Sequence, residues 1–179
     1  MDLQLGILTF EPATEKPELL AKPVRDHLTA FGITNGLWVS EIDPALADTA
    51  AFCEQYGLGL DISANCVIVQ AKRAERTWYA ACLILATTKA DINSAVRRYL
   101  EARKISFAPM DTATTMSHME YGGITPVGLP TDWPILIDNQ VAEQELLLIG
   151  SGLRRSKAVA QSALLMDLPN AVVLDIAKK

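Results

Sequence analysis

The sequence predicts one mixed α+β domain with a central sheet covered by helices, and three observations carry that prediction. The 179 residues amount to about one domain. Half of them are apolar and 21% are charged, with only 10 glycines and 9 prolines, so the chain can bury a core and is neither disordered nor collagenous. Strand-like and helix-like segments interleave irregularly around a central hairpin, which rules out a purely parallel sheet. The whole chain, 1–179, is expected to be a single domain, with residues 1–43 supplying an N-terminal helix and strand.

In chain order, Leu19, Leu20, Val24, Leu28 and Phe31 recur at helical spacing and predict a helix from Pro17 to Phe31, stopped by Gly32. Leu37 to Ile42 reads as a strand. Asp43 and Pro44 supply a cap and a first-turn proline for a second helix, with Leu46, Ala50, Cys53 and Tyr56 on one stripe and Gly57 at its end. Asn65 to Ala71 and Thr77 to Ala86 are rich in β-branched and aromatic residues, and the polar Lys72 to Arg76 between them predicts a hairpin. Asp91 opens a third helix whose Ile92, Ala95, Val96, Tyr99 and Leu100 form the inner face and whose Arg97 and Arg98 face out. A short helix is predicted from Asp111 to Met116, strands at Pro134 to Asp138 and Leu146 to Ile149, a helix at Ala158 to Met166, and a last strand at Ala171 to Ile176.

No apolar run approaches the roughly 20 residues of a membrane helix, and the first residues lack a secretory pattern, so no membrane partner and a cytoplasmic location are expected. The three cysteines, Cys53, Cys66 and Cys82, have no CxxC spacing and only His27 and His118 offer imidazole, so neither a metal nor a cofactor is expected. The net charge of −5 is unevenly spread: residues 1–60 carry −6 and residues 61–179 carry +1. A polyanion would therefore meet the second part, where Lys72, Arg73 and Arg76, then Arg97, Arg98, Arg103 and Lys104, then Arg154, Arg155 and Lys157 cluster.

Chemistry is expected at the glycine- and proline-punctuated stretch from Glu120 to Pro130, where three glycines and two prolines fall within nine positions. Glycine permits backbone shapes that a Cβ forbids, so such a loop can aim several N–H groups at one point, as an oxyanion hole or anion cradle requires; a plain connecting loop is the alternative. Gly150, Ser151 and Gly152 run into Arg154, Arg155 and Lys157, a combination of backbone donors and cations that suits a phosphate or makes a tight turn with a basic exit. Asp138 ends a strand and either points a carboxylate toward the glycine loop or caps a turn. His118 lacks a nucleophile at triad spacing and is read as a pocket or surface histidine.

The order of these segments resembles the YbaK/EbsC family of aminoacyl-tRNA deacylases, which is related to the editing domain of bacterial prolyl-tRNA synthetases. The matching stretches are Asp48 to Ala51, Cys66 to Val69, Asp91 with its helix, Gly122 to Gly128, Ile135 to Asp138 and Ile149 to Gly152, spanning roughly residues 44 to 176. The resemblance implies a partly barrel-like mixed sheet flanked by helices and hydrolysis of the ester between a wrongly attached amino acid and the terminal adenosine of tRNA. It puts the family's gripping loop on Gly122, Gly123, Ile124, Thr125 and Pro126. The family usually has a lysine just before the Cys66 to Val69 strand, where this chain has Asn65, which keeps hydrogen-bonding capacity without the charge.

The expected function is that of a trans-acting deacylase without cofactor. Gly122 to Pro126, Asn65 and Asp138 serve as its catalytic set, while Gly150, Ser151, Gly152, Arg154, Lys72 and Lys89 bind substrate. Its partners are the acceptor end of aminoacyl-tRNA and an aminoacyl-tRNA synthetase, not DNA. The alternative, raised by Asn65, is a module that binds aminoacyl-tRNA without turning it over.

Overall fold

A computed structural model describes residues 1–178. The chain opens with a hairpin, β1 (Leu3–Leu5) and β2 (Leu8–Pro12), which composition alone did not signal. A 3-10 turn at Pro17–Leu19 is followed by α1 (Lys22–Ala30). The predicted Pro17 to Phe31 helix is thus broken at Leu20 and Ala21. Pro23 cannot sit in a helix interior, where it would delete a hydrogen bond, but fits the first turn of a new one.

β3 (Leu37–Glu41) precedes α2 (Thr49–Tyr56). Asp43 caps only a 3-10 turn, Pro44–Leu46, and it is Asp48 that caps α2, accepting from the N–H groups of Ala50 and Ala51. The central hairpin is β4 (Ala64–Arg73) and β5 (Arg76–Leu85), in register from Ala64 opposite Leu85 to Arg73 opposite Arg76. After β6 (Lys89–Ala90), the predicted third helix is a π-type turn, Ile92–Val96, continued by α3 (Arg97–Tyr99), and it buries Ile92, Val96 and Leu100 against the hairpin but leaves Tyr99 exposed.

β7 (Lys104–Phe107), α4 (Met110–Ser117), β8 (Ile135–Asp138), α5 (Asn139–Ala142) and β9 (Leu146–Gly150) follow. The Ala158 to Met166 helix is corrected to a strand, β10 (Ser156–Gln161), and a short helix, α6 (Ser162–Met166). Alanines at 158 and 160 carry helical propensity, yet pairing with β3 on one side and β9 on the other decides the segment. β11 (Ala171–Leu174) and β12 (Ala177–Lys178) end the described chain.

The strands form two five-stranded sheets, ordered β1-β2-β3-β10-β9 and β11-β8-β5-β4-β7. A bridge from Ser63 to Leu148 joins them where β4 begins, so the α+β architecture is a partly closed barrel with helices outside. Parallel pairs, β5 with β8 and β8 with β11, lie beside the antiparallel hairpin. The largest core fills the space between the sheets with Val39, Leu83, Ile137, Leu147 and Ile149; smaller cores lie under the Ile92 to Leu100 helix and under α2. The N-terminal residues belong to this frame, because β3 pairs along β10 from Leu37 to Glu41.

Candidate functional site

α2, the start of β4, the end of β9, β10 and the glycine loop surround a cleft of about 660 Å³, a volume suited to a small organic group. Its lining includes small residues, Ala47, Ala50, Ala64 and Ala86, with Gly122 and Gly150. Asn65 and Cys66 enter from β4, Tyr121 and Ile124 from the loop, and Arg154 and Lys157 from the turn and strand after β9.

Side-chain alternation along β10 explains Lys157. Ala158 and Ala160 face the core between the sheets, which turns Lys157 and Val159 to the opposite face, beneath α2. The Lys157 stem is buried, with the ammonium 5.5 Å from the Phe52 ring centroid, and the side chain reaches the cleft wall. It makes no salt bridge among the described residues. Burial holds its pKa below the usual lysine value; the Cys53 thiol and Asp48 act in the other direction, and Arg154 adds to the lowering.

Arg154 is fixed on the loop. Its N–H donates to Glu120 Oε2 at 2.6 Å, its Nη1 donates to the Tyr121 carbonyl at 3.3 Å, and its guanidinium lies 5.7 Å from the Tyr121 ring centroid. The loop itself is docked backbone to backbone: Gly152 N–H donates to Gly123 O at 2.7 Å and Glu120 N–H to Gly152 O at 2.9 Å. Gly122, at φ +81°, and Ile124 line the cleft, and neither N–H donates to an acceptor among the described residues. Two residues with uncommitted backbone N–H groups, two cations and the N-terminal end of α2 therefore border one small space. Such a space favours negative charge, and Asp48, already engaged as a cap, is the one acid on the wall.

Thr49 and Asn65 meet across the cleft wall, the Thr49 hydroxyl donating to Asn65 Oδ1 at 2.9 Å. Cys66 is a poor nucleophile: burial, with Cys82 adding to it, pushes its thiol up, and it stays protonated at neutral pH. No cluster of three or more His, Cys, Asp or Glu residues among those described has metal-binding geometry, and no described helix is long and apolar enough to cross a membrane.

A family model for the aminoacyl-tRNA editing domain matches residues 43–168, a span that contains every residue of the cleft. The chain belongs to the aminoacyl-tRNA editing domain family. No curated protein sequence matches it. Among solved structures, the hypothetical protein APE2540 is similar in fold, with a TM-score of 0.76 at 17% identity over 88% of this chain and 100% of that one. A protein proposed as a trans-editing enzyme for prolyl tRNA synthetase is similar with a TM-score of 0.74 at 17% identity, over 89% of this chain and 99% of that one.

Within this editing domain, the residues singled out in the sequence separate into two sets. Asn65, Gly122, Ile124, Gly150 and Arg154 converge on the cleft. Gly123 and Gly152 lie behind the wall, Gly123 where a Cβ would meet the Leu153 carbonyl oxygen at 2.5 Å. Thr125 and Pro126 are buried off the cleft, and the Thr125 hydroxyl has no hydrogen-bond partner. Ser151 is buried in the turn, 2.7 Å from the Ser156 hydroxyl. Asp138 is not a cleft carboxylate: it is 1% exposed, caps α5 through Gln140 N–H at 3.0 Å, and accepts from the N–H groups of Ile176 at 3.0 Å and Ala177 at 2.8 Å. Lys72 sits at the far end of β4 and Lys89 in the two-stranded β6–β12 pair, and neither lines the cleft. His118 is a surface residue.

The sequence reading did not single out Thr49 or Tyr121, and it named Lys157 only within the basic exit after Gly152, not as a buried lysine of the cleft wall. A signal for Lys157 was present. A strand ending at Gly150 and followed by a glycine turn predicts a return strand, and strand alternation from Ser156 separates Lys157 from Ala158.

Proposed function

We propose that this editing domain hydrolyses the ester of mischarged aminoacyl-tRNA, acting on tRNA supplied in trans. The observation that supports this best is that Gly122 and Ile124, whose backbone N–H groups are uncommitted, line one cleft with Asn65, Arg154 and Lys157.

The chemistry asks little of the protein. Water adds to the ester carbonyl carbon, the carbonyl oxygen takes up negative charge, and collapse breaks the bond to the ribose oxygen, which leaves as a hydroxyl after taking a proton. The amino acid departs as its carboxylate. Backbone donors already in place stabilise the oxyanion without reorganising. Lys157 supplies the positive charge that the family's usual lysine would bring and that Asn65 does not. Arg154, held on the loop, takes a phosphate or ribose oxygen of the terminal nucleotide. Asn65, its Oδ1 occupied by Thr49, presents its amide N–H groups to the substrate or the attacking water. A cleft of about 660 Å³ takes a small or medium amino acid beside the terminal ribose, told from its neighbours by shape differences of about 1–3 kcal/mol per methylene.

The reaction belongs in the cytoplasm, where aminoacyl-tRNA is used, and association with a synthetase would deliver the substrate. The deciding experiment incubates the purified chain with a panel of mischarged tRNAs and follows ester loss against a protein-free control. Loss of one or a few esters well above background is the expected result. A second reading, a module that binds aminoacyl-tRNA without turnover, is favoured by Asn65 at the family's lysine position, and tight binding without ester loss across the whole panel would establish it instead.

A further inference from the structure

The far end of the central hairpin carries a second charged feature outside the cleft. Residues 72–104 hold eight Lys or Arg and three Asp or Glu, a local charge of +5 in a chain whose net charge is −5. The fold gathers seven of these cations. Lys72 pairs with Lys104 across β4 and β7, Arg73 pairs with Arg76 at the hairpin turn, and Arg103 N–H donates to the Lys72 carbonyl at 2.9 Å. Arg97 and Arg98 stand one turn away on α3, where Ala102 N–H reaches the Arg97 carbonyl. All seven are exposed, and the acids among them are Glu75 and Glu101, the latter a loose 4.0 Å partner of Arg73.

This cluster is linked to the cleft by a trail of exposed apolar side chains. From Lys104, β7 runs back along β4 toward the cleft end, and the chain continues through α4 to Tyr121 and Gly122. Along it Phe107 on the edge strand is 56% exposed, Met110 at the start of α4 52%, and Tyr121 in the loop beside Arg154 58%. Large apolar side chains left exposed along the stretch of chain that joins a basic cluster to a cleft are suited to contact with a ligand that spans both. Asn65 and Lys72, the cleft and cluster ends of β4, are seven residues apart, about 23 Å along an extended strand.

We infer that the cations at the β4–β5 turn and β7 bind the phosphates of an RNA duplex while Phe107, Met110 and Tyr121 support the single strand that leaves it for the cleft. The inference rests on the reading of the cleft as a site for the aminoacyl end of tRNA. The cations suit the duplex because phosphate neutralisation needs exposed, mobile charges and no sequence reading. The apolar trail suits the single strand because unstacked bases lie on aromatic faces whatever their identity.

The test measures binding of two labelled RNAs, a hairpin with a single-stranded 3′ end and the same hairpin cut blunt, across a salt series, so that the outcome does not depend on catalysis. Replacing Arg73, Arg76, Arg103 and Lys104 together by Ala should weaken both RNAs and reduce the slope of log K against log salt by roughly 0.7–0.9 for each phosphate no longer neutralised. The Arg103→Ala, Lys104→Ala pair should give about half that change, with the thermal midpoint reporting that each variant is folded. Phe107→Ser should weaken the tailed hairpin about tenfold and leave the blunt one alone. If unmodified protein hydrolyses no ester yet these binding changes occur, the hydrolase reading fails and the RNA track stands. Equal affinities and equal slopes for the folded fourfold variant and the unmodified chain would overturn the inference.

Discussion

The Thr49 hydroxyl donates to Asn65 Oδ1 at 2.9 Å, and so the first residue of α2 is tied to the start of the central hairpin at the mouth of the cleft. This bond commits the Asn65 oxygen and leaves its amide to point elsewhere. An ammonium at position 65 would lose the acceptor that Thr49 uses and would share the cleft with Arg154 and Lys157. Single-turnover deacylation should therefore fall in Asn65→Lys and also in Asn65→Ala, the first through repulsion and the second through a lost hydrogen bond of about 1 kcal/mol. A large gain in the lysine variant over an inactive parent would mean that the present chain only binds.

Lys157 gives a pH signature. Its folded-state pKa lies below the value of 10.5 that it regains on unfolding, so between those two values the unfolded chain holds more protons and stability rises with pH. Relative to Lys157→Met, the unmodified protein should thus gain stability as pH climbs through that window toward 10.5, measured by denaturant midpoints. Activity should run the other way. kcat/KM should decline as the ammonium deprotonates, and the decline should move to higher pH in Lys157→Arg, whose charge persists.

Gly123 is a packing residue as well as part of the loop. A Cβ there would meet the Leu153 backbone, oxygen at 2.5 Å and carbon at 2.6 Å, and backbone cannot step aside as a side-chain tip can. Gly123→Ala should lower the thermal midpoint by about 3–10 °C, from an overpacking cost of about 1–3 kcal/mol. The expectation that this loop spends its glycines on shape rather than packing holds for Gly122, which faces the cleft, and not for Gly123.

Thr125 entered the expected site as part of the loop that the resemblance assigns and Asp138 as a carboxylate aimed at that loop, and the structure separates them by what surrounds each. The Thr125 hydroxyl is buried without a partner. Thr125→Val should leave deacylation unchanged and stabilise the fold by about 1 kcal/mol, because an unpaired polar atom is removed at constant shape. Loss of turnover at full stability would return Thr125 to the reacting groups.

For Asp138 the opposite balance is expected. Three backbone N–H groups converge on its carboxylate from α5 and from Ile176 and Ala177, joining β8 to the C-terminal segment. Asp138→Ala should cost about 3 kcal/mol, seen as a lower denaturant midpoint, with kcat/KM preserved in whatever fraction remains folded.

What the sequence disclosed and what it withheld follow from the range of the interactions involved. The β4–β5 hairpin was legible because its alternation and its polar turn are local, and Cys53 was placed in the core because its helical stripe is local too. β10 was misread as helix because Ala158 and Ala160 favour one local state while pairing with Leu37 to Glu41, more than a hundred residues away in sequence, imposes another. That error left Lys157 in the basic exit of the glycine turn, named as a cation but with no strand alternation to bury its stem beneath α2. Asp138 was weighed correctly as either cap or site. Its partners at 176 and 177 could not be read from the chain around it.

The backbone of Lys157 lies between two neighbours, Ser40 of β3 and Gly150 of β9, so the strand carrying it is held on both sides. Amide hydrogen exchange at this position should be among the slowest in the protein, because release requires the whole first sheet to open. A charge mounted on such a strand does not travel to meet a ligand. On the proposed function the ester carbonyl must be brought to it, so the position of a strand, not the reach of a flexible side chain, sets where a substrate can be held.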